Sequence, residues 1–254
     1  MIPNPWDAGT ARILTSLEFE ALATTSAGLA FSLGRNDGIA GTLSRDLILS
    51  NAKQIVEATH LPVNADLERG FGDAPEICAE TIRMASDIGL VGGSIEDATG
   101  RPEDPIYEFE HAVERVAAAA EASSSRPILL TARAENFLHR KPDLDDTIKR
   151  LQAFEAAGAD VLYAPGLPGI DAIRTVCSSV SKPVNVVMGL VGDIYSLEQL
   201  AEAGVKRVSV GGSFAVFALS AFLRAAKEVK EEGTFTYTRD SLPREDLSRI
   251  FFSK

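Results

Sequence analysis

The chain has 254 residues, 45% hydrophobic and 24% charged, which is the composition of a globular protein long enough for a large core. Its formal net charge of −11 argues against general binding to nucleic acid or to an anionic membrane surface, since both need a basic face. The two cysteines do not form a disulfide framework or a zinc motif, and neither a signal pattern nor a membrane-spanning apolar run is seen. These features predict a cytoplasmic protein without nucleic-acid or membrane partners.

Short apolar runs alternate with amphipathic stretches along the chain. The opening segment MIPNPWDAGTARILTSL predicts the end of a very short first strand, a turn and a helix. Seven further strands are predicted, at 20–28, 61–68, 89–97, 126–136, 159–165, 182–189 and 205–213. Helical patterns follow them in turn, at 44–60, 75–88, 106–123, 143–158, 169–179, 196–203 and 214–231.

Eight strand–helix units over about 250 residues predict a single α/β domain, a (β/α)8 TIM barrel, over residues 1–232. A doubly wound open sheet is the alternative, but no G-x-G-x-x-G motif follows any strand, which argues against it. The tail 233–254 is more polar and ends in an apolar RIFF segment. We expect this tail to pack on the barrel or on a partner subunit.

Active sites of such barrels lie at the carboxyl ends of the strands, and here these ends are polar. The polar residues at or just after the predicted strand ends are Asp7, Thr24, Thr25, Ser26, Asp37, Asn64, Asp66, Glu68, Glu96, Asp97, Arg133, Glu135, Tyr163, Asn185 and Ser213. Carboxylates from separate strands would raise each other's pKa unless a cation neutralised them. The pattern therefore predicts a cation among acids.

The segment LPVNADLERGFGD (61–73) is the most acidic of these strand ends. Because side chains alternate along a strand, Asn64 and Asp66 point the same way and can present two oxygen atoms to one metal ion. No histidine lies at a predicted strand end, so the ligands would be oxygen atoms only. Such ligands suit Mg²⁺ or Mn²⁺ and not zinc.

An arginine and backbone amides at the strand ends supply positive charge and hydrogen-bond donors beside these acids. Arg133 fits bidentate binding of a substrate carboxylate, with a structural ion pair to Glu135 or Glu96 as the alternative. The amides near Thr25 and Ser26 could bind an oxyanion, or these residues could be ordinary strand side chains.

Six motifs occur in order along the chain: NPWDAG at the start, TTSAGLAFSLGRND (24–37), NADLERGFGD (64–73), GSIED (93–97), TARAENF (131–137) and GADVLYAPG (158–166). As a set they resemble the isocitrate lyase/phosphoenolpyruvate mutase superfamily, in its small carboxyphosphonoenolpyruvate phosphonomutase-like branch. The resemblance implies a barrel that exchanges its last helix with a partner, in a homodimer or homotetramer. It also implies Mg²⁺, an enolate intermediate, and a C–C or P–C bond made or broken beside the oxo group of a 2-oxo acid.

The resemblance also implies roles for single residues. Asp66 matches the second acid of the family's D-A-D metal motif, and Asn64 stands in place of the first. Glu96 matches the acid of the strand-four ED pair, and Asp37 an acid that hydrogen-bonds metal waters.

The implied substrate contacts come from other strands. Arg133 matches the arginine that grips the substrate carboxylate, and Thr25 and Ser26 match a pair whose amides meet substrate oxygens. The predicted catalytic groups are Arg133, Thr25, Ser26 and Glu96. The predicted substrate-binding residues are Thr25, Ser26, Ala27, Asp66, Arg133, Tyr163 and Asn185.

The chain departs from the family pattern after strand four. Lyase members carry a K-[KR]-C-G-H loop there, and mutases a loop with lysine and asparagine, but this chain reads IEDATGRPEDPIYEFE. Pro165 stands where a histidine or glutamate is expected after strand six. The acid/base is left open between Tyr163, Glu68, Arg101 and a metal-bound water.

Together these observations predict a Mg²⁺-dependent lyase that cleaves or forms a C–C bond next to the oxo group of a small 2-oxo or 2-hydroxy dicarboxylic acid. A mutase or hydrolase of a P–C bond, acting on a phosphonopyruvate-like acid, is one alternative. A non-catalytic 2-oxo-acid binding protein is another. An aldolase with a Schiff-base lysine is disfavoured, because no lysine lies at a predicted strand's carboxyl end.

Overall fold

The computed structural model describes residues 1–37, 42–189 and 192–252. Its strands are β1 (Leu22–Ala23), β2 (Val63–Asp66), β3 (Gly92–Glu96), β4 (Ala98–Arg101), β5 (Asp104–Ile106), β6 (Leu129–Arg133), β7 (Val161–Tyr163), β8 (Val184–Val187) and β9 (Arg207–Ser209). Its α-helices are α1 (Ala8–Ser16), α2 (Ser26–Ser32), α3 (Arg45–Ala58), α4 (Pro75–Asp87), α5 (Phe109–Ser124), α6 (Leu144–Ala156), α7 (Gly169–Ser179), α8 (Leu197–Glu202), α9 (Ser213–Glu232) and α10 (Arg244–Phe252). A 3-10 helix spans Thr236–Asp240.

Seven parallel strands form a nearly closed barrel in the order β1-β2-β3-β6-β7-β8-β9. The first residues of the chain lie between the two outer strands. The Ile2 amide donates to the Val208 carbonyl at 2.8 Å, and the Ala23 amide donates to the Pro3 carbonyl at 3.0 Å. The predicted barrel is therefore confirmed, with residues 2–3 in the position of the very short first strand.

The core lies between the barrel and its surrounding helices. Leu130, Leu162 and Val184 on neighbouring strands are buried, and Ile82 of α4 and Ala119 of α5 are fully buried against the same core. The alanine-rich face of α5 lets its backbone approach α4 closely, since small side chains leave little space between helices. Burial of these faces fixes which side chains point into the barrel interior.

Two boundaries differ from the sequence predictions. The predicted strand 20–28 ends at Ala23, because the Thr25 hydroxyl accepts a hydrogen bond from the Gly28 amide at 3.3 Å and caps α2. The predicted helix 106–123 begins only at Phe109, because the antiparallel pair β4–β5 occupies the preceding residues.

The tail returns to the first helix of the same chain. Gly233 ends α9 with a left-handed backbone (φ +66°), which glycine adopts without steric cost. The Arg12 guanidinium then donates to the Phe251 carbonyl at 3.3 Å, at the contact between α1 and α10. Residues 253–254 of the predicted tail lie outside the described residues. No helix in the described part of the chain is long and apolar enough to cross a membrane.

Candidate active site

A cavity of about 410 Å³, the mouth cavity, opens at the carboxyl ends of β2, β3 and β6. Its charged and polar lining residues are Ser26, Asn36, Asp37, Thr42, Asp66, Glu68, Arg69, Glu96, Arg133, Glu135 and His139. Five of them are carboxylates and two are arginines, and one of these, Arg69, is paired with Asp73 at 2.9 Å. The mouth cavity therefore carries an excess of negative charge, as predicted from the strand ends.

Arg133 lies at the centre of these acids, with one carboxylate against each of its nitrogen atoms. Nη1 lies 3.1 Å from Asp66 Oδ1, Nη2 lies 3.3 Å from Glu96 Oε2, and Nε lies 2.8 Å from Glu135 Oε1. Desolvation lowers the pKa of Arg133, but the carboxylates of Glu135, Glu96 and Asp66 raise it well above its ordinary value. Both ion pairs left open by the sequence are thus present, together with a third.

The acids of the mouth cavity are not fully neutralised by this arginine. Burial, followed by the charges of Asp66 and Asp37, raises the pKa of Glu68 to about 7. Burial also raises the pKa of Glu96 well above its usual range, although Arg133 opposes the shift. Burial is the main cause of both shifts, and the charges of neighbouring carboxylates add to it.

The predicted metal ligands are only partly brought together. Asp37, Asp66 and Glu96 line the mouth cavity, whereas Asn64 lines a smaller cavity beneath it that Asp66 also borders. Within the described ranges, no cluster of three or more histidine, cysteine, aspartate or glutamate side chains is already arranged around a metal position. Arg133 holds Asp66 and Glu96 in the arrangement seen here.

The start of α2 fixes the orientation of Asp66. The Ser26 amide and hydroxyl both donate to Asp66 Oδ2, at 3.3 and 2.8 Å, and the Asp66 amide donates to the Thr24 hydroxyl at 3.0 Å. Ala27 lies against Gly212, where an added Cβ would come within 2.9 Å of the Ala27 methyl. Within the predicted segment 24–27, Thr24 and Ser26 thus contact Asp66.

The remaining predicted substrate residues lie deeper in the barrel. Tyr163 lines the smaller cavity, and its ring centroid lies 4.9 Å from the guanidinium carbon of Arg133. Asn185 is buried in the same cavity, where its amide donates to the Ser209 hydroxyl at 3.1 Å and its oxygen accepts from Arg207 at 2.9 Å.

A buried ion pair behind the mouth was not predicted as a unit. Asp97 Oδ1 accepts from the Glu135 amide at 2.8 Å, and Asp97 Oδ2 accepts from Arg150 of α6 at 3.0 Å. Burial raises the pKa of Asp97 to about 6, and Arg150 opposes this shift. The sequence identified Asp97 as an acid at a predicted strand end, but no local signal connects it to an arginine 53 positions away.

A second cavity of about 820 Å³ adjoins the mouth and is mostly apolar. Leu138 lines both cavities, and the wall of the apolar one includes Pro165, Leu167, Ile173 and Met188. Pro165, noted above as a departure in sequence, therefore contributes apolar surface next to the acidic mouth.

Residues 1–230 match the family model described as phosphoenolpyruvate phosphomutase. The chain belongs to this family. It is 32% identical over 199 residues to the 2-methylisocitrate lyase of Shewanella oneidensis, covering 75% of this chain and 66% of that protein. These matches confirm the superfamily indicated by the motifs.

Solved structures agree with this membership of the phosphoenolpyruvate phosphomutase family. A crystal structure of a proposed lyase/mutase from Burkholderia cenocepacia J2315 is 57% identical, with a TM-score of 0.96 over 99% of this chain and 90% of that chain. The structure of 2,3-dimethylmalate lyase, a member of the PEP mutase/isocitrate lyase superfamily, is 26% identical. Its TM-score is 0.85 over 98% of this chain and 88% of that chain.

In this family member, the segment after β3 folds as the β4–β5 hairpin. Arg101 of this hairpin is paired with Asp73 at 3.0 Å and with Asp104 at 3.5 Å. Of the three acid/base candidates named from the sequence, Glu68 lines the mouth cavity and Tyr163 the smaller one. Arg101, the third candidate, is paired with Asp73 and Asp104 outside both cavities.

Proposed function

We propose that this protein is a Mg²⁺-dependent carbon–carbon lyase acting on a small 2-oxo or 2-hydroxy dicarboxylic acid. The observation that carries the proposal is the contact of Arg133 with Asp66, Glu96 and Glu135 in a cavity with excess negative charge. The relatives named 2-methylisocitrate lyase and 2,3-dimethylmalate lyase support the reaction class. The exact acid and the metal requirement are part of the proposal.

The donor set fits Mg²⁺. Asp66 and Glu96 offer carboxylate oxygens, and Asp37 and Asn64 would act through water molecules, because Mg²⁺ usually keeps several waters. Mn²⁺ suits the same oxygen ligands. When bound, the ion supplies positive charge that stabilises the negative charge developing beside the breaking bond.

The chain's own residues would bind and orient the substrate. Arg133 would bind the substrate carboxylate with its planar guanidinium, and its present carboxylate partners would turn towards the cation. The amides of Thr25 and Ser26 would face the substrate oxygens. Tyr163 lies under Arg133 and keeps its ring plane against the guanidinium. Cleavage beside the oxo carbon would leave an enolate, stabilised electrostatically and then protonated.

Cleavage of a P–C bond is the second candidate, because the matched family model is described as a phosphomutase. A non-catalytic binding protein is the third, because the β4–β5 hairpin (98–106) carries neither the cysteine loop nor the lysine–asparagine loop noted above. All three candidates would bind 2-oxo acids, so one panel of such acids can be used for all of them. The candidates differ in the product that is formed.

The experiment is calorimetric titration of the purified protein with pyruvate, oxaloacetate, 2-oxoglutarate and phosphonopyruvate, in Mg²⁺ and in EDTA, followed by product analysis. We expect Mg²⁺-dependent binding of a dicarboxylic acid and cleavage of its C–C bond. Turnover of phosphonopyruvate alone would select the P–C reaction, and metal-dependent binding without product would select the binding protein. No binding of any of these acids would refute 2-oxo acids as the ligand class.

A further inference from the structure

The barrel interior beneath Arg133 is polar, whereas such interiors are usually filled by bulky branched side chains. The smaller cavity described above lies there; it has a volume of about 60 Å³ and is called the interior cavity from here on. Its polar wall includes Asn4, Asn64, Ser94, Asn185, Arg207 and Ser209. Asp66 and Arg133 line both this cavity and the mouth, and so they stand between the two.

Arg207 is the unusual residue of the interior cavity. Its Nε donates to Asn185 Oδ1 at 2.9 Å and its Nη2 to the Thr131 hydroxyl at 2.8 Å, and both acceptors are neutral. Among the described ion pairs Arg207 has none, in contrast to Arg133, which has three. Burial lowers the pKa of Arg207 to about 10, and only Tyr163 acts against this shift.

The hydrogen bonds around Arg207 end in donors that lack protein acceptors. Asn185 passes its amide hydrogen to the Ser209 oxygen at 3.1 Å, and the Ser209 hydroxyl hydrogen has no partner among the described residues. Nη1 of Arg207 and the Tyr163 hydroxyl also have no hydrogen-bond acceptor among the described residues. Burial raises the pKa of Tyr163, so the phenol remains a donor. Three donors thus line one small cavity.

Neutral acceptors cannot replace the counter-charge of a guanidinium that never loses its proton in proteins. The one carboxylate on the described wall of the cavity, Asp66, is already paired with Arg133 and bonded by Ser26. The interior cavity therefore has a guanidinium without a counter-charge at Arg207 and three donors without described acceptors, while the acceptor Asn64 Oδ1 belongs to another residue of its wall. Its volume admits a few atoms, since the space open to the centre of one water molecule is roughly 10–15 Å³.

We propose that the interior cavity binds one small monovalent anion, of the size of chloride or formate, between Arg207, Ser209 and Tyr163. The anion supplies the negative charge that Arg207 lacks, and it accepts hydrogen bonds from the three free donors. It occupies the floor of the site and is distinct from the substrate of the mouth cavity.

The test uses the full chain dialysed free of chloride. Chloride or formate is added at constant ionic strength against gluconate, which is too large for the cavity, and thermal midpoints and the ³⁵Cl NMR line width are measured. We expect a saturable rise in midpoint with both small anions, and chloride line broadening that formate reverses. Identical curves in chloride and gluconate, without line broadening, would mean that only water fills the cavity and would overturn the inference.

Variants locate the binding. Arg207→Met should abolish the anion effect, Ser209→Ala should weaken anion binding about fivefold through the loss of one hydrogen bond, and Arg174→Met, a surface control paired with Asp171, should bind as the parent does. An unchanged anion effect in Arg207→Met would overturn the inference. If that variant does not fold, unchanged affinity in both Ser209→Ala and Tyr163→Phe would do so.

Discussion

At the scale of single residues, Arg133 has one carboxylate for each of its nitrogen atoms, and its side chain is 13% exposed. These three contacts hold the guanidinium in one orientation before any ligand is present. They also hold Asp66 and Glu96 from different strands close together. The same three contacts therefore prepare a carboxylate-binding group and two oxygen ligands for a cation.

Arg133→Lys should lower kcat/KM by about 10²–10³, because lysine cannot form the planar fork that binds a carboxylate. The measurement is the rate of C–C cleavage of the substrate found in the titration panel. Arg126→Lys, which keeps a surface contact to Asp87, is the matched control and should retain parental activity. Full activity in Arg133→Lys would refute the assigned role.

Asp66→Asn should weaken Mn²⁺ binding about tenfold or more, because it removes a carboxylate charge from the proposed ligands. Electron paramagnetic resonance of free Mn²⁺ measures the affinity directly. Asp87→Asn removes a surface carboxylate instead and should leave Mn²⁺ affinity unchanged. Equal affinity in the parent and in Asp66→Asn would exclude Asp66 as a ligand.

At the scale of elements, α5 holds the segment that follows β2. The fully buried Arg115 of α5 donates to the carbonyls of Gly72 and Asp73, both at 2.6 Å, and to that of Arg69. Its guanidinium carbon lies 4.2 Å from the ring centroid of Tyr107. One helix side chain thus fixes a turn that carries Glu68 and Arg69 into the mouth cavity.

Arg115→Met should lower the free energy of unfolding by about 3 kcal/mol, because it leaves buried carbonyls without their charged donor. Urea unfolding followed by circular dichroism gives this value. Arg126→Met removes a surface ion pair and should cost less than about 1 kcal/mol. Equal losses in the two variants would show that Arg115 contributes no more than a surface arginine.

At the scale of the whole molecule, α9 exposes much apolar surface. Phe217 is 70% exposed and Phe222 73% exposed, whereas a surface helix normally turns such residues inward. We propose that this face contacts a second copy of the chain in a homodimer or homotetramer. The helix exchange implied by the family resemblance is one way to form that contact.

Sedimentation of the purified protein should therefore give the mass of a dimer or tetramer. The double variant Phe217→Asp, Phe222→Asp should sediment as a monomer, because charged side chains oppose burial of this face. Lys227→Asp on the same helix is the control, and it should not change the mass. A monomeric parent protein would contradict the proposed assembly.

The fold and the acids of the site follow from local patterns. Alternating strand and helix periodicity predicts the barrel, and strand-end positions predict Asp66, Glu96 and Arg133 at one mouth. The β4–β5 hairpin was missed, because ATGRPEDPI has no regular alternation of apolar residues.

Contacts between distant residues could not be read from the sequence. Arg150 meets Asp97 only through packing of α6 on the barrel. A signal for Arg207 did exist. It lies two positions before Ser209 in a predicted strand, so alternation places both side chains on the interior face, opposite the buried Val208.

The most direct test of carbon–carbon cleavage is incubation of the Mg²⁺-loaded protein with the dicarboxylic acids of the panel in D₂O, followed by NMR and mass spectrometry of the products. From oxaloacetate we expect carbon dioxide and pyruvate, formed faster than in a protein-free Mg²⁺ control, with solvent deuterium on the pyruvate methyl carbon, because the enolate left by loss of carbon dioxide is protonated by solvent. No product beyond that of the protein-free control, or product formed only from phosphonopyruvate, would contradict the account.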